Sequence, residues 1–280
     1  MKITVYSSGS AGNCTLVQTK KYNILVDVGI GIKSIESNLT LSGLALKEIN
    51  ILLITHEHVD HIKAFNSLLK YENIINYISK GTYDWILASN KNKAPKMALL
   101  MEKRVNDGSI IILSRMEKTI FYPTILLEDL QIQVLPTFHD AVESIAFVID
   151  DYEKKLVYIT DTGYVHQSLF EVISNADAYI LESNHDPAIL MHSSRPYVLK
   201  RRILSDHGHM SNEDSMLVLA HCMGEKTKLV MHAHISQECN LTQIVELTRK
   251  KVFDDFGLDT SGIEFVITGP FRLKEYEIWR

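Results

Sequence analysis

The chain has 280 residues, 46% hydrophobic and 22% charged, with a net charge of −5. That composition is ordinary for a globular protein with a sizeable core, and its mild acidity argues against one that coats nucleic acid nonspecifically, though a local basic patch can coexist with it. No apolar run approaches the ~20 residues needed to cross a bilayer. Cys14, Cys222 and Cys239 are too few and too scattered for a disulfide framework. The N-terminal apolar stretch is too short for a signal peptide and reads as a first strand. A cytoplasmic protein without membrane association is therefore expected.

In chain order, alternating or apolar runs predict strands over 2–6, 14–18 and 23–27, separated by turns. A helix over 33–43 and a strand over 51–54 follow, then helices near 62–71 and 83–103, the latter interrupted near Pro95. Strands return over Ile110–Leu113, Thr119–Tyr122, Leu130–Leu135, Ile145–Ile149 and Lys155–Thr160. Next come a helix near 166–174, a strand over 178–181, and helices near 187–203 and 212–222. A strand over 228–231, a helix near 241–255 and strands near 263–267 and 271–276 complete the chain. Strand blocks alternating with helices in two halves predict two mixed sheets with helices outside. No linker, repeat or composition shift marks a boundary, so one domain over 1–280 is expected.

The richest local feature is Thr55-His56-Glu57-His58-Val59-Asp60-His61, directly after the strand over 51–54. It packs the metal-ligand side chains His56, His58, Asp60 and His61 into six residues. Imidazoles and a carboxylate suit zinc or a similar divalent ion, and the lack of cysteines argues against a purely structural site. Three further apolar strands end in ligand residues: one delivers His139, one Asp161, and one His232 and His234. With one of the last two histidines, the set reaches seven ligands, enough for two ions.

His-x-His-x-Asp-His, a distant His, an Asp and a final His together resemble the metallo-β-lactamase superfamily. The motifs Ser8–Asn13, Thr160–Tyr164, Glu182–Asp186 and Gly208–Asn212 narrow the resemblance to its YycJ/WalJ-like branch. The resemblance implies a four-layer αββα sandwich, an α/β architecture of two mixed β-sheets with helices on the outer faces. It further implies a cytosolic metallohydrolase with 5′→3′ DNA exonuclease activity and two divalent ions per chain, Zn²⁺ or Mn²⁺. By position, His56, His58 and His139 would hold one ion, Asp60, His61 and His234 the other, and Asp161 would bridge them. The family motif favours His234 over His232. Phe138 is bulkier than the small polar residues common before the third histidine, and Met210 stands where leucine is usual.

A pair of divalent ions roughly 3.5–4 Å apart can bind one water between them and lower its pKa to about 7. Attack by such a hydroxide on phosphorus is the expected chemistry, with Asp60 able to take a proton. His209 is the candidate non-ligand acid or phosphate contact, at a motif leading into a helix with Ser211 or Asn212 near its N-cap. Ser10 and Asn13 in the Gly-rich turn, with Asn184 and Asn212, are candidate substrate contacts. The basic run Arg195–Arg202, with Arg201 as its candidate contact and Tyr197 available to stack on a base, could draw in a phosphate backbone. The expected partner is DNA or a nucleotide. The alternatives are a phosphodiesterase of small or cyclic nucleotides and a metal-dependent binding protein.

Overall fold

A computed structural model describes residues 1–117, 119 and 121–278 and forms two compact units. The first comprises Met1–Pro123, Ala141–Ile145 and the segment from Pro270; the second comprises Thr124–Asp140 and Ala146–Gly269.

In the first unit, β1 (Lys2–Ser7), β2 (Cys14–Gln18) and β3 (Asn23–Val26) form an antiparallel meander. Helix α1 (Ile32–Leu41) then crosses to β4 (Ile51–Leu53), parallel to β3. Two short helices, α2 (Val59–Ile62) and α3 (Phe65–Leu68), lead to β5 (Ile75–Ser79). Helices α4 (Lys80–Lys93) and α5 (Pro95–Asn106) lead to β6 (Ile110–Leu113), which extends the parallel half. Strand Tyr276–Glu277 pairs with β1 and completes a seven-stranded mixed sheet. One cluster, including Tyr6, Leu16, Leu25, Ile35, Leu52, Phe65 and Ile78, forms its apolar core.

The second unit begins with β7 (Ile125–Leu127), β8 (Leu130–Pro136) and β9 (Ile145–Asp150). Strand β10 (Lys155–Ile159) runs antiparallel to β9. Helix α6 (Phe170–Ile173) precedes β11 (Ala178–Glu182), then α7 (Pro187–His192), α8 (Tyr197–Ile203) and α9 (Asn212–Cys222). Strand β12 (Leu229–Ala233), α10 (Thr242–Asp255) and β13 (Glu264–Ile267) follow. Strands β10 to β13 are mutually parallel within a second seven-stranded mixed sheet.

The predicted class, two mixed sheets with helices, is what the structure contains. Several boundaries differ for identifiable reasons. Pro95 starts α5 at the expected interruption, whereas Pro196 precedes α8, so the single helix predicted near 187–203 becomes a pair. The predicted strand over Thr119–Tyr122 is not formed at its described residues, and residue 120 lies outside them; the chain pairs instead at Ile125–Leu127. Strand β5 escaped prediction, because Asn76 and Tyr77 interrupt its apolar character. Asn76 is buried and donates its amide to the carbonyls of Ile74 and Ser109. The strand expected near 271–276 shrinks to Tyr276–Glu277. Among the described residues no helix is long and apolar enough to cross a membrane, and Cys14, Cys222 and Cys239 are buried free thiols.

His232, on β12, is a core residue. Its ring stacks on Phe265, with centroids 6.2 Å apart, and its Nδ1 lies 3.2 Å from Ser183 Oγ. Burial, aided by Arg249, pushes its pKa down to about 3. The unfolded chain takes up this proton near pH 6.5. The stabilisation is thus fully present above that pH and is lost as pH falls toward about 3, at up to about 1.4 kcal/mol per pH unit. Urea midpoints of metal-free protein between pH 7 and 4.5 should fall less steeply in His232→Leu than in wild type. Identical slopes would show that His232 is not the group responsible.

Candidate metal centre

In the first unit, the parallel pairing of β3 with β4 places Asp27 beside the residues following Leu53. The Asp27 N–H donates to the Leu53 carbonyl (2.9 Å). The fully buried Asp27 carboxylate accepts from the Thr55 N–H (2.9 Å), Thr55 Oγ1 (2.8 Å) and His61 Nδ1 (2.7 Å). Burial pushes the Asp27 carboxyl up, opposed by the His61 imidazole and the Thr55 hydrogen bonds. Thr55 Oγ1 also lies 3.0 Å from His56 Nδ1. With Nδ1 of His56 and His61 engaged this way, Nε2 is the nitrogen each ring presents as a ligand. His56 Nε2 lies 3.0 Å from His58 Nδ1, and His61 Nε2 is 3.6 Å from Asp60 Oδ2.

The ligand segment is clamped from behind. The Val28 N–H donates to the His61 carbonyl (2.8 Å), and the Asn13 N–H donates to the Asp60 carbonyl (2.7 Å). Gly29 is required here, because a Cβ would sit 1.6 Å from the Asp60 carbonyl oxygen. Glu57 belongs to the motif but faces away from this cluster. Its carboxylate accepts from the Val142 N–H (2.7 Å) and Thr82 Oγ1 (3.2 Å), a brace within the first unit.

In the second unit, parallel register aligns the ends of β10, β11 and β12, so Asp161, Glu182 and His234 emerge side by side. Their ligand atoms and one from His209 all lie within 4.8 Å of one another. Glu182 is fully buried and sits at the centre. Its Oε1 accepts from His209 Nδ1 (2.7 Å) and His234 Nδ1 (3.1 Å), and its Oε2 accepts from the Thr162 N–H (2.9 Å). Burial opposes ionisation of Glu182, but His209 and the His209 and His234 hydrogen bonds together outweigh it and hold the carboxyl down at about 2. His139 donates Nδ1–H to the Gly208 carbonyl (3.0 Å), and its Nε2 lies 3.8 Å from Asp161 Oδ1. Asp27, Asp161 and His234 have left-handed backbones, with φ of 58°, 55° and 54°. Such conformations cost non-glycine residues about 1–3 kcal/mol and concentrate at functional sites.

The imidazole and carboxylate donors of both sets fit divalent cations. The predicted substrate contacts are placed differently. Asn13 donates Nδ2–H to the Gly9 carbonyl (3.2 Å), and the same atom lies 3.0 Å from His61 Nε2, the nitrogen that His61 would present to an ion. Asn184 donates to the His234 carbonyl (2.8 Å), and Asn212 exchanges amide hydrogen bonds with Asn240 (2.9 and 2.8 Å). All three asparagines are buried, with their amides engaged in the turns around the ligands. Ser10 and Arg201 are exposed. The basic run is largely engaged: Arg195 with Glu238, Lys200 with the Met191 and Ser193 carbonyls, and Arg202 with Asp140. Arg201 has no ion pair among the described residues, and Tyr197 is exposed. Ser211 is the N-cap of α9, accepting from the Asp214 N–H (3.1 Å).

Asp27 and Thr55 were not singled out from the sequence, although Asp27 follows an apolar strand as Asp161 does. Glu182 stood out only as the first residue of a resemblance motif, and the structure makes it the brace of two histidines.

Residues 22–233 match the family model described as a β-lactamase superfamily domain. The chain is 32% identical over 257 residues to a protein named exodeoxyribonuclease YycJ from Bacillus anthracis, covering 92% of this chain and 90% of that one. It is 34% identical over 249 residues to one named exodeoxyribonuclease WalJ from Streptococcus pneumoniae, covering 88% and 86%. Its fold is like that of YhfI from Bacillus subtilis, a metallo-β-lactamase fold protein (TM-score 0.65, 18% identity, 98% and 99% coverage). It is also like the short form of human tRNase Z (TM-score 0.66, 16% identity, 100% of both chains). The strand-end ligands, the two seven-stranded sheets and these matches agree: the chain belongs to the metallo-β-lactamase superfamily, in its YycJ/WalJ-like branch, and is a metal-dependent hydrolase.

Proposed function

We propose that the chain is a dinuclear-metal phosphodiesterase degrading DNA from the 5′ end, acting as one hydrolase domain in the cytoplasm. The observation that carries this reading is the full-length similarity to two proteins named exodeoxyribonucleases. His56, His58 and His139 are assigned to one ion, Asp60, His61 and His234 to the second, and Asp161 to both, with Zn²⁺ or Mn²⁺ as the metal. When bound, such ions supply Lewis acidity and an activated water at neutral pH.

The protein groups supply the rest. Asp60 accepts a proton from the attacking water. The Glu182–His209 pair handles the proton at the leaving group, because Glu182 engages His209 Nδ1 and so fixes Nε2 as the nitrogen that gives a proton to the departing oxygen. His209 is partly exposed, its side chain 21% accessible, as a substrate-facing acid must be. Ser10 and Arg201 are the assigned substrate contacts that lie on the surface. Asn13, Asn184 and Asn212 act by holding the ligand-bearing turns.

Incubation with 5′-labelled single- and double-stranded DNA and added Mn²⁺ or Zn²⁺ should release products stepwise from the 5′ end, and Asp161→Ala should abolish this. Turnover of a cyclic or other small nucleotide without DNA cleavage would replace the DNA assignment with a small-nucleotide one. His209→Ala should lower kcat by about 10²–10⁴-fold, the usual size of general acid catalysis, with metal content unchanged by elemental analysis. Full activity in that variant would remove His209 from the proton transfer.

A further inference from the structure

A cavity of about 660 Å³ lies within the second unit, beside His209. Tyr164 and Phe170 from the segment after β10, Pro187 at the start of α7, and Leu217 on α9 contribute to its walls, together with His185 and His209. No step described above uses this space. Its volume falls in the roughly 300–1,000 Å³ range of small-molecule sites, whose walls are mostly apolar with a few polar groups.

Three features define what it would hold. His185 is only 1% exposed, and neither of its ring nitrogens has a hydrogen-bond partner among the described residues. Buried polar groups in native folds are almost always satisfied, so an unpartnered imidazole on a cavity wall points to a ligand that supplies the missing bond. Among the described residues the walls carry no lysine or arginine, while Asp206 and Asp214 contribute negative charge, which disfavours a phosphate and favours a neutral group. The aromatic wall is rigid: Tyr164 stacks on Phe138 with centroids 4.3 Å apart and planes 19° from parallel. The bulky Phe138 therefore backs a flat surface on which a planar heterocycle can lie.

We propose that this cavity receives the nucleoside on the leaving side of the scissile phosphate, with His185 hydrogen-bonding the edge of its base. The assignment rests on the phosphodiesterase reading, because His209, the group that protonates the departing oxygen, also borders the space that holds what departs. Burial pushes the His185 pKa down to about 4, so at neutral pH the ring offers one donor and one acceptor, as base edges do. A pocket for a single nucleoside accounts for removal of one residue at a time.

The probe is 2′-deoxyadenosine, titrated into zinc-loaded protein labelled with ¹⁵N-histidine. Saturable shifts of the His185 ring nitrogens are expected. The dissociation constant and the KM for DNA should both rise about tenfold in His185→Leu, the effect of losing one hydrogen bond to a buried group. Leu217→Trp, which takes up cavity space and leaves the His185 side chain unsubstituted, should weaken nucleoside binding likewise and serves if His185→Leu folds poorly. DNA degradation without any nucleoside-dependent shift, and with KM unchanged in both variants, would overturn the pocket while leaving the exonuclease reading intact. Nucleoside binding with His185 shifts but no DNA cleavage would support the pocket and overturn the exonuclease reading.

Discussion

Two fully buried carboxylates, Asp27 in the first unit and Glu182 in the second, each set the terms for the ligand residues of its own unit. A carboxylate is expensive to bury unless every oxygen is hydrogen-bonded. Asp27 meets that requirement with Thr55 and His61, and Glu182 with Thr162, His209 and His234. In both cases the bond to the imidazole is made through Nδ1, which fixes the tautomer and aims Nε2 outward. The same interaction that makes the buried charge tolerable therefore determines what the histidine can do. His139 reaches the same state through a backbone carbonyl, that of Gly208.

Strand direction makes this possible. Each sheet has an antiparallel part and a parallel part, and apart from His139 after β8 and His209 after α8 the reactive residues follow the carboxyl ends of parallel strands: β3 and β4 in one, β10, β11 and β12 in the other. Parallel register brings residues distant in sequence into one row, and ligands of open α/β sheets gather at such ends. The left-handed turns at Asp27, Asp161 and His234 then redirect the chain while keeping the side chains in place. Close backbone contacts lock these turns. Gly163 shows how tightly, since a Cβ there would lie 2.3 Å from the Asp206 carbonyl oxygen.

Much of this was legible in the residues themselves. The apolar runs ending in His56, His139, Asp161 and His234 mark strands because a short hydrophobic stretch followed by polar punctuation has few other stable uses. The choice between His232 and His234 was not legible from local pattern. Both flank the end of one strand, and only the family motif favoured His234. The structure places His232 against Phe265 in the core and His234 against Glu182. The asparagines looked like substrate contacts because polar residues in turns usually face water. Asn13 and Asn184 direct their amides to backbone carbonyls and Asn212 pairs with Asn240, contacts that no spacing rule reveals. Nor does the basic run show which of its members are engaged, since the partners Glu238 and Asp140 lie 43 and 62 residues from Arg195 and Arg202.

The central claim is that the imidazoles of His61 and His234, held from behind by Asp27 and Glu182, bind metal. Its most direct test is zinc stoichiometry and affinity by competition titration, comparing wild type with Asp27→Asn and Glu182→Gln, with circular dichroism confirming that each variant is folded. The account predicts two zinc ions per wild-type chain and about 10–100-fold weaker binding in each variant, the usual cost of losing a partner behind a metal ligand. Unchanged affinity in both folded variants, or no zinc bound by wild type, would contradict it.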